Sequence, residues 1–185
     1  ITLYAQWDAI WAGTGTESDP YQISDAEKLT ALQTQVNDKG FSYMGKYFAL
    51  PANGTITLTG EWTPIGNDTA TFSGNIEGNN ATINGLSVTQ NDSAGLFEGL
   101  SPRGTTTYIR NLTISGTATS AYGHAGGLAA GVADGNITLS NITTNVAVSA
   151  PRGSAGGLIG YAGAPVGGAR ALYIKVVSCT NKGTI

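Results

Sequence analysis

The phrase Ala125-Gly126-Gly127-Leu128 occurs in three versions along this chain. The others are Ala94-Gly95-Leu96-Phe97 and Ala155-Gly156-Gly157-Leu158, so the copies start 31 and then 30 residues apart. A second pair of phrases keeps this interval, because Asn111 and Asn141 hold the same place in two strand-like segments. Self-similarity of this size is typical of repeat proteins, whose units bury their apolar faces by stacking on one another. The sequence therefore predicts a stack of similar units.

Each unit of about 30 residues contains short strand patterns separated by Gly or Asn turns. From Tyr47 onward apolar and polar residues alternate, and no helical pattern appears after Gly40, which disfavours folds built from βαβ units. Propeller blades need about 40–50 residues and four strands. We therefore predict an all-β protein that forms a right-handed parallel β-helix, or solenoid, in which each coil adds one rung at about 4.8 Å.

The repeated phrases have a structural interpretation within such a stack. The Leu of each Gly-Gly-Leu phrase points inward, and its glycines permit bends that a Cβ atom would obstruct. Asn111 and Asn141 occupy one position in successive coils, so their amides are expected to hydrogen-bond along the stack as an Asn ladder.

One amphipathic helix is predicted before the coils, over about residues 24–38. Ser24 followed by Glu27 forms a capping box, and Gly40 supplies the stop signal. Its apolar face consists of Leu29, Leu32 and Val36. A helix in this place is expected to cover the open first coil, where apolar residues and unpaired strand edges would otherwise face water.

These patterns divide the chain into three parts. Residues 1–7 alternate like a strand and are expected to be the tail of a preceding module, residues 8–46 hold a lead-in strand and the capping helix, and residues 47–185 form the coils. The chain opens at Ile1 rather than Met, so we expect it to be a piece of something longer, truncated at its C-terminus.

Composition excludes several classes of function. The net charge is −3 with a pI of about 4.9, and no basic stripe is present, so nucleic acid is not expected as a partner. Only 11% of the residues are charged, and 27 of the 185 are Gly. No run approaches the roughly 18 apolar residues of a membrane span, so membrane insertion is not expected. Cys179 is the single cysteine, which excludes an internal disulfide.

The residue pattern predicts no enzyme, no cofactor and no metal site. Carboxylates in the coils neither form an Asp-x-Asp cluster nor recur at the repeat interval, although glycosidases need a pair at defined separation. His124 is the only histidine, and without a second His or Cys it cannot build a zinc site. No Gly-x-Ser-x-Gly elbow occurs. The carboxylates concerned are Glu61, Asp68, Glu77, Asp92, Glu98 and Asp134.

Aromatic and cationic residues near turns are the candidate ligand contacts. Tyrosine faces are common platforms for sugar rings and protein partners, and three loop arginines on one edge would form a binding rim. Scattered, solvated charges are the alternative interpretation of these arginines. The candidates are Tyr108, Tyr122, Tyr161, Arg103, Arg152 and Arg170.

Several phrases resemble the GLUG-motif domains of bacterial surface proteins. They are Trp62–Gly66, Phe72–Gly74, Gly78–Ile83 and the Gly-Leu phrases, and the resemblance covers residues 10–185. Only Gly157-Leu158-Ile159-Gly160 fits the Gly-Leu-x-Gly core in full. Residues 1–7 resemble the closing strand of Listeria-Bacteroides repeats. The resemblance implies an extracellular protein, cell-wall-attached or secreted, that serves as an adhesin or as the accessory region of an immunoglobulin A protease, and it supplies no catalytic residues.

We therefore predict a non-catalytic module of a bacterial cell-surface protein, acting as an adhesin, stalk or scaffold. Its expected partners are a host or bacterial surface glycan or protein and the neighbouring modules of the same polypeptide. Two alternatives stay open: a carbohydrate-binding or accessory module of a secreted enzyme that degrades glycans or immunoglobulins, and a polysaccharide-cleaving enzyme. An ice-binding threonine face is disfavoured because Thr55, Thr57 and Thr59 are not expected to recur in register.

Overall fold

The computed structural model describes residues 10–163 and 171–185. In that part of the chain it contains thirteen strands and one helix, α1, which spans Ala26–Asn37. The strands are, in chain order, β1 (Tyr21–Gln22), β2 (Tyr47–Ala49), β3 (Thr55–Thr57), β4 (Asn75–Gln90), β5 (Phe97–Leu100), β6 (Thr106–Ser120), β7 (Ala125–Gly126), β8 (Ala129–Val132), β9 (Gly135–Ser149), β10 (Ala155–Gly156), β11 (Ile159–Ala162), β12 (Leu172–Val177) and β13 (Thr180–Asn181).

The strands build a parallel β-solenoid of about five turns. The main sheet runs β1-β2-β4-β6-β9-β12, with β3 paired to β4 and β13 paired to β9. A second sheet stacks β5, β8 and β11, and a third pairs β7 with β10. All of these strand pairs are parallel. The predicted fold class, mostly β with one helix and a parallel solenoid, is therefore confirmed.

The first rung of the main sheet begins before the helix. Tyr21 in β1 pairs with Phe48 in β2, so the lead-in strand belongs to the solenoid and does not merely precede it. Residues 1–7, interpreted above as the tail of another module, lie outside the described residues.

The helix begins one residue later than a Ser24 cap would place it. Asp25 is the N-cap: its backbone is extended, and its carboxylate accepts a hydrogen bond from the Lys28 N–H at 2.9 Å. The Ser24 hydroxyl instead donates to Asp25 at 2.7 Å. The predicted capping box of Ser24 and Glu27 is thus wrong. The Asp25 carboxylate is a stronger acceptor than the Ser24 hydroxyl, and it accepts the hydrogen bond from the backbone N–H of Lys28 in the first helical turn.

The predicted apolar face of α1 is correct. Leu29, Leu32 and Val36 are buried and belong to the same hydrophobic cluster as the coils. Asn37 fixes the end of the helix to the first full coil, since its amide donates to the Pro64 carbonyl at 2.9 Å and accepts from the Gly66 N–H at 2.6 Å. The helix therefore packs against the turn that contains Pro64 and Gly66.

The core consists of apolar columns that run along the stack. One column in the main sheet joins residues of β2, β4, β6 and β9, and it comprises Phe48, Ile76, Ile109 and Leu139. The leucines of the repeated phrase form another: Leu96 and Leu128 are fully buried, while Leu158 in the last complete coil is half-buried. The inward orientation predicted for these leucines is confirmed for Leu96 and Leu128.

The Asn ladder predicted from the 30-residue interval is present. The Asn141 amide donates to the Asn111 side-chain oxygen at 3.0 Å, and the Asn111 amide donates to Glu77 at 2.8 Å. Both asparagines also adopt left-handed backbone conformations, with φ of 57° at Asn111 and 52° at Asn141. Asn tolerates this region better than other residues with a Cβ atom, so it serves both the bend and the ladder.

Substitution of Asn111 separates these two roles. We expect Asn111→Ala to lower the free energy of unfolding by about 2–3 kcal/mol, because it loses hydrogen bonds and places Ala at positive φ. Asn111→Gly loses only the hydrogen bonds and should cost about 1 kcal/mol. Urea unfolding measures both values, and Asn145→Ala, at an exposed position of β9, is the control. Equal costs for the Ala and Gly variants would show that backbone conformation is not the reason for Asn.

An outward column of threonines corrects one expectation. Thr55 pairs in register with Thr82, which continues through Thr113 and Thr143 to Thr180. Successive threonines of this column are 27, 31, 30 and 37 residues apart. Because these intervals differ, the column cannot be recognised from a fixed repeat in the sequence. The neighbouring outward column is mixed, and it comprises Thr57, Asn84, Ser115 and Asn145.

Candidate functional site

Two corner segments of the solenoid lie directly on top of one another. Residues 121–124 connect β6 to β7, and residues 150–154 make the same connection one coil later. The Ser154 N–H donates to Nδ1 of His124 at 3.2 Å, and a Cβ atom added to Gly153 would collide with the Gly123 carbonyl. The 30-residue interval thus places Arg152 on Tyr122 and Ser154 on His124.

The first contact at this corner is between a cation and an aromatic ring. The guanidinium carbon of Arg152 lies 5.1 Å from the ring centroid of Tyr122, and 59% of Tyr122 is exposed. A guanidinium within about 6 Å of a ring is attracted by the negative charge on the ring face. Arg152 is also exposed, so the pair presents an aromatic surface and a cation to solvent together.

The second contact is a stacked pair. The rings of His124 and Tyr161 lie 4.6 Å apart at an interplanar angle of 13°. Because Nδ1 of His124 accepts the Ser154 N–H, the neutral imidazole carries its proton on Nε2. Tyr161 is 48% exposed, so its ring adds a second aromatic surface. We call Tyr122, His124, Arg152 and Tyr161 the corner cluster.

The corner cluster has the chemistry of a binding surface. Two exposed tyrosines offer apolar ring faces with hydroxyl groups at their edges, and Arg152 offers several N–H donors in a fixed plane. Such a surface matches a sugar hydroxyl face or a polar peptide segment. Three of its members are among the candidate contacts predicted from the sequence, whereas His124 was considered there only as a zinc ligand and excluded. The 30-residue interval from His124 to Ser154 was the signal that could have identified it.

The remaining candidate residues lie elsewhere. Tyr108 lines a separate pocket on the outer face of the main sheet. Arg103 occupies the corner between β5 and β6, where its N–H donates to the Asp134 carbonyl at 3.3 Å. Arg103 and Arg152 are therefore at different corners and do not share a rim. Arg170 lies outside the described residues.

An acidic cleft beside α1 was not foreseen. Asp68, Asp92 and Glu98 come from three separate segments and line one cleft of about 450 Å³. Burial raises the pKa of Glu98, and the nearby carboxylates of Asp68 and Asp92 raise it further.

In residues 10–163 and 171–185 no group of three or more His, Cys, Asp and Glu side chains is arranged to hold a metal ion. Nor does that part of the chain include a helix that is long and apolar enough for a membrane span.

Two glutamates are expected to change stability in opposite directions with pH. Partial burial acts to raise the pKa of Glu77, but hydrogen bonds from Asn111, the Asn79 N–H and Arg110 outweigh it and leave the pKa below its ordinary value. Charged Glu77 thus stabilises the fold at neutral pH, and this contribution is lost as the pH falls through its folded-state pKa. Glu98 has a raised pKa, so its stabilising contribution is present at low pH and is lost as the pH rises through the folded-state value.

We therefore expect Glu98→Gln to be more stable than the wild type at pH 7, and Glu77→Gln to be less stable. Both differences should vanish as the pH falls below the ordinary carboxyl range, because all forms are then neutral. Thermal unfolding between pH 3 and pH 8 measures them. A destabilised Glu98→Gln variant at pH 7 would show that the charged carboxylate is favoured in the cleft.

Known proteins provide two similarities. The chain is 30% identical over 163 residues to Halomucin of Haloquadratum walsbyi, and the match covers 82% of this chain but 2% of that protein. Its fold resembles the crystal structure of a proposed immunoglobulin A1 protease from Bacteroides ovatus, with a TM-score of 0.57, 19% identity, and coverage of 92% of this chain and 59% of the other. At that identity the likeness concerns the fold alone. No family model matches the chain.

Proposed function

We propose that this chain is a non-catalytic module of a larger cell-surface or secreted protein, in which the solenoid is a rigid stalk and the corner cluster contacts a surface partner. The observation that carries the proposal is the pairing of Arg152 with Tyr122 on stacked corners, next to the stacking of Tyr161 from β11 on His124. The match to a segment of the much longer Halomucin supports a module within a larger protein.

The GLUG-motif resemblance belongs to this proposal. Its Gly-Leu phrases coincide with the inward leucines Leu96 and Leu128 and with the paired strands β7 and β10. A motif that serves packing is consistent with a scaffold, since the phrase itself brings no reactive group to the surface. The family implies an adhesin or stalk of a bacterial surface, with a glycan or protein as partner.

Binding measurements test the proposed role of the corner cluster. The purified chain is applied to immobilised glycans and surface-protein extracts, and we expect binding that weakens about tenfold in Tyr122→Ala and in Arg152→Ala. Tyr173→Ala is the matched control, because Tyr173 is 62% exposed but lies on β12. Binding that survives both corner substitutions would remove the corner cluster as the contact surface.

A second candidate is an accessory module of an immunoglobulin- or glycan-degrading enzyme. The fold likeness to the Bacteroides ovatus protein favours it. Immobilised immunoglobulin A1 separates the candidates: saturable binding without cleavage favours the accessory role, and no binding favours the stalk.

The non-catalytic part of the proposal has its own test. A hydrolase would most readily use the carboxylates of the acidic cleft, because Glu98 has a raised pKa there and two neighbouring acids. Incubation with pectin, mucin and host glycans is expected to release no reducing ends. Turnover by the wild type that disappears in Glu98→Gln would overturn the proposal.

A further inference from the structure

A small pocket lies on the outer face of the main sheet, where β2, β4 and β6 are adjacent. Tyr47 pairs in register with Asn75, and the Tyr108 N–H donates to the Asn75 side chain at 2.9 Å from the next rung. The two tyrosines therefore stand on the rungs either side of Asn75. The cavity has a volume of about 300 Å³, and besides Ile76 its lining residues are Glu17, Tyr47, Asn75, Glu77, Tyr108 and Arg110.

Asn75 keeps the space between the tyrosines open. It is only 3% exposed, and its amide also donates to the Lys46 carbonyl at 3.1 Å, so this short side chain is held down as part of the floor. Rungs spaced at about 4.8 Å place the backbones of Tyr47 and Tyr108 about 9.5 Å apart. A sugar ring in contact with a side chain on each face needs at least about 7–8 Å between those side chains, from contact distances of about 3.5–4.0 Å. The space therefore suits a single ring.

Fixed polar groups lie beside this space. Glu77 accepts from Nε of Arg110 at 2.6 Å, from the Asn111 amide at 2.8 Å and from the Asn79 N–H at 2.9 Å. These bonds hold the carboxylate and the guanidinium in one position before any ligand arrives, which lowers the entropic cost of binding. Arg110 keeps 43% of its side chain exposed, so the pair faces the cavity mouth as well as the protein.

Charge limits the class of ligand. The lining holds the carboxylates of Glu17 and Glu77 against the single guanidinium of Arg110, which gives a net charge of −1. An anionic ligand would meet this net negative field at short range. An uncharged ligand with many hydroxyl groups instead finds both acceptors and donors around its edge.

We propose that this pocket binds one uncharged hexopyranose ring of a glycan. Tyr47 and Tyr108 contact the C–H faces of the sugar, while Glu77 and Glu17 accept from its hydroxyls and Arg110 donates to them. The volume is at the lower end of the roughly 300–1,000 Å³ of ligand pockets, which fits one sugar ring and not an extended chain. This site is separate from the corner cluster and does not depend on it.

A glycan array with the purified chain tests the proposal. The probes are immobilised oligosaccharides ending in neutral hexoses, and matched ones ending in sialic acid or sulfate. We expect binding to a neutral class and little to the acidic probes. The best probe is then titrated in solution, where Tyr108→Ala and Tyr47→Ala should each weaken binding at least about tenfold. Tyr108→Phe, which keeps the ring, should stay within about threefold of the wild type.

Controls keep the outcome interpretable. Thermal unfolding checks that each variant folds, and Tyr173→Ala on β12 is the exposed-tyrosine control. The proposal is overturned if no neutral probe binds, if acidic probes bind best, or if folded Tyr108→Ala binds as the wild type does. If Tyr122→Ala loses glycan binding while Tyr108→Ala retains it, the pocket proposal is overturned and the corner cluster is supported. The two proposals therefore fail separately.

Discussion

Leu128→Ala is expected to lower the free energy of unfolding by about 3–5 kcal/mol, one of the two largest effects in this molecule. Leu128 is fully buried at the middle copy of the repeated phrase, between the Leu96 and Leu158 copies in the coils on either side. Truncation removes buried apolar surface and leaves a cavity between the two flanking coils. Because these coils hold their positions, the surrounding side chains fill little of the cavity and most of the free energy is lost.

Leu158→Ala is the matched control, because it makes the same chemical change one coil later. Leu158 is half-buried, so we expect a cost of about 1–2 kcal/mol. Urea unfolding followed by circular dichroism measures both, and a changed slope would report that the coils unfold in separate steps. If both variants lose the same free energy of unfolding, the inward packing of the leucines does not weaken toward the last coil, and the assignment would be contradicted.

Gly126→Ala is expected to lower the free energy of unfolding by about 3 kcal/mol or more. Gly126 is not at positive φ, so a left-handed turn is not the reason for Gly. A Cβ atom there would collide with the Ala129 carbonyl and lie 2.7 Å from the Gly160 nitrogen of the next coil. Both are backbone atoms, so the bend within this coil and the spacing to the next coil would both have to change.

Gly131→Ala provides the comparison in the same coil. The nearest atom to its added Cβ would be the Glu98 carbonyl oxygen at 3.7 Å, an ordinary contact. We expect a change within about 0.5 kcal/mol, measured by the same unfolding experiment. Similar stabilities for the Gly126 and Gly131 variants would mean that close backbone approach does not explain Gly at position 126.

The parts of the fold that were predictable depend on coils of constant length. Asn111 and Asn141 are 30 residues apart and hydrogen-bond as predicted, because stacking in register puts equivalent positions in contact. The same interval connects Tyr122 with Arg152, two residues that had been chosen separately as candidate contacts. Inward Leu128 was likewise evident from repetition alone.

The threonine column was missed because the coils before Asn111 differ in length. Between Glu77 and Ala81 the strand β4 contains two more residues than β6 does between Arg110 and Leu112, and a second irregularity follows Ile83. The first bulge precedes Thr82 and sets its register with Thr113, and the second changes the pairing again before Leu86 meets Gly116. A count of residues along the chain cannot show where such a bulge lies.

Sequence by itself determined the stacked parallel architecture, the apolar face of the helix and the inward position of Leu128, since each follows from local periodicity and propensity. Tertiary structure alone decided which distant side chains share a site: His124 with Tyr161, Tyr47 with Tyr108, and the carboxylates beside α1. The physical reason is that a solenoid brings residues together through the angle of its corners and the placement of its bulges. These depend on packing across the whole stack rather than on any one repeat.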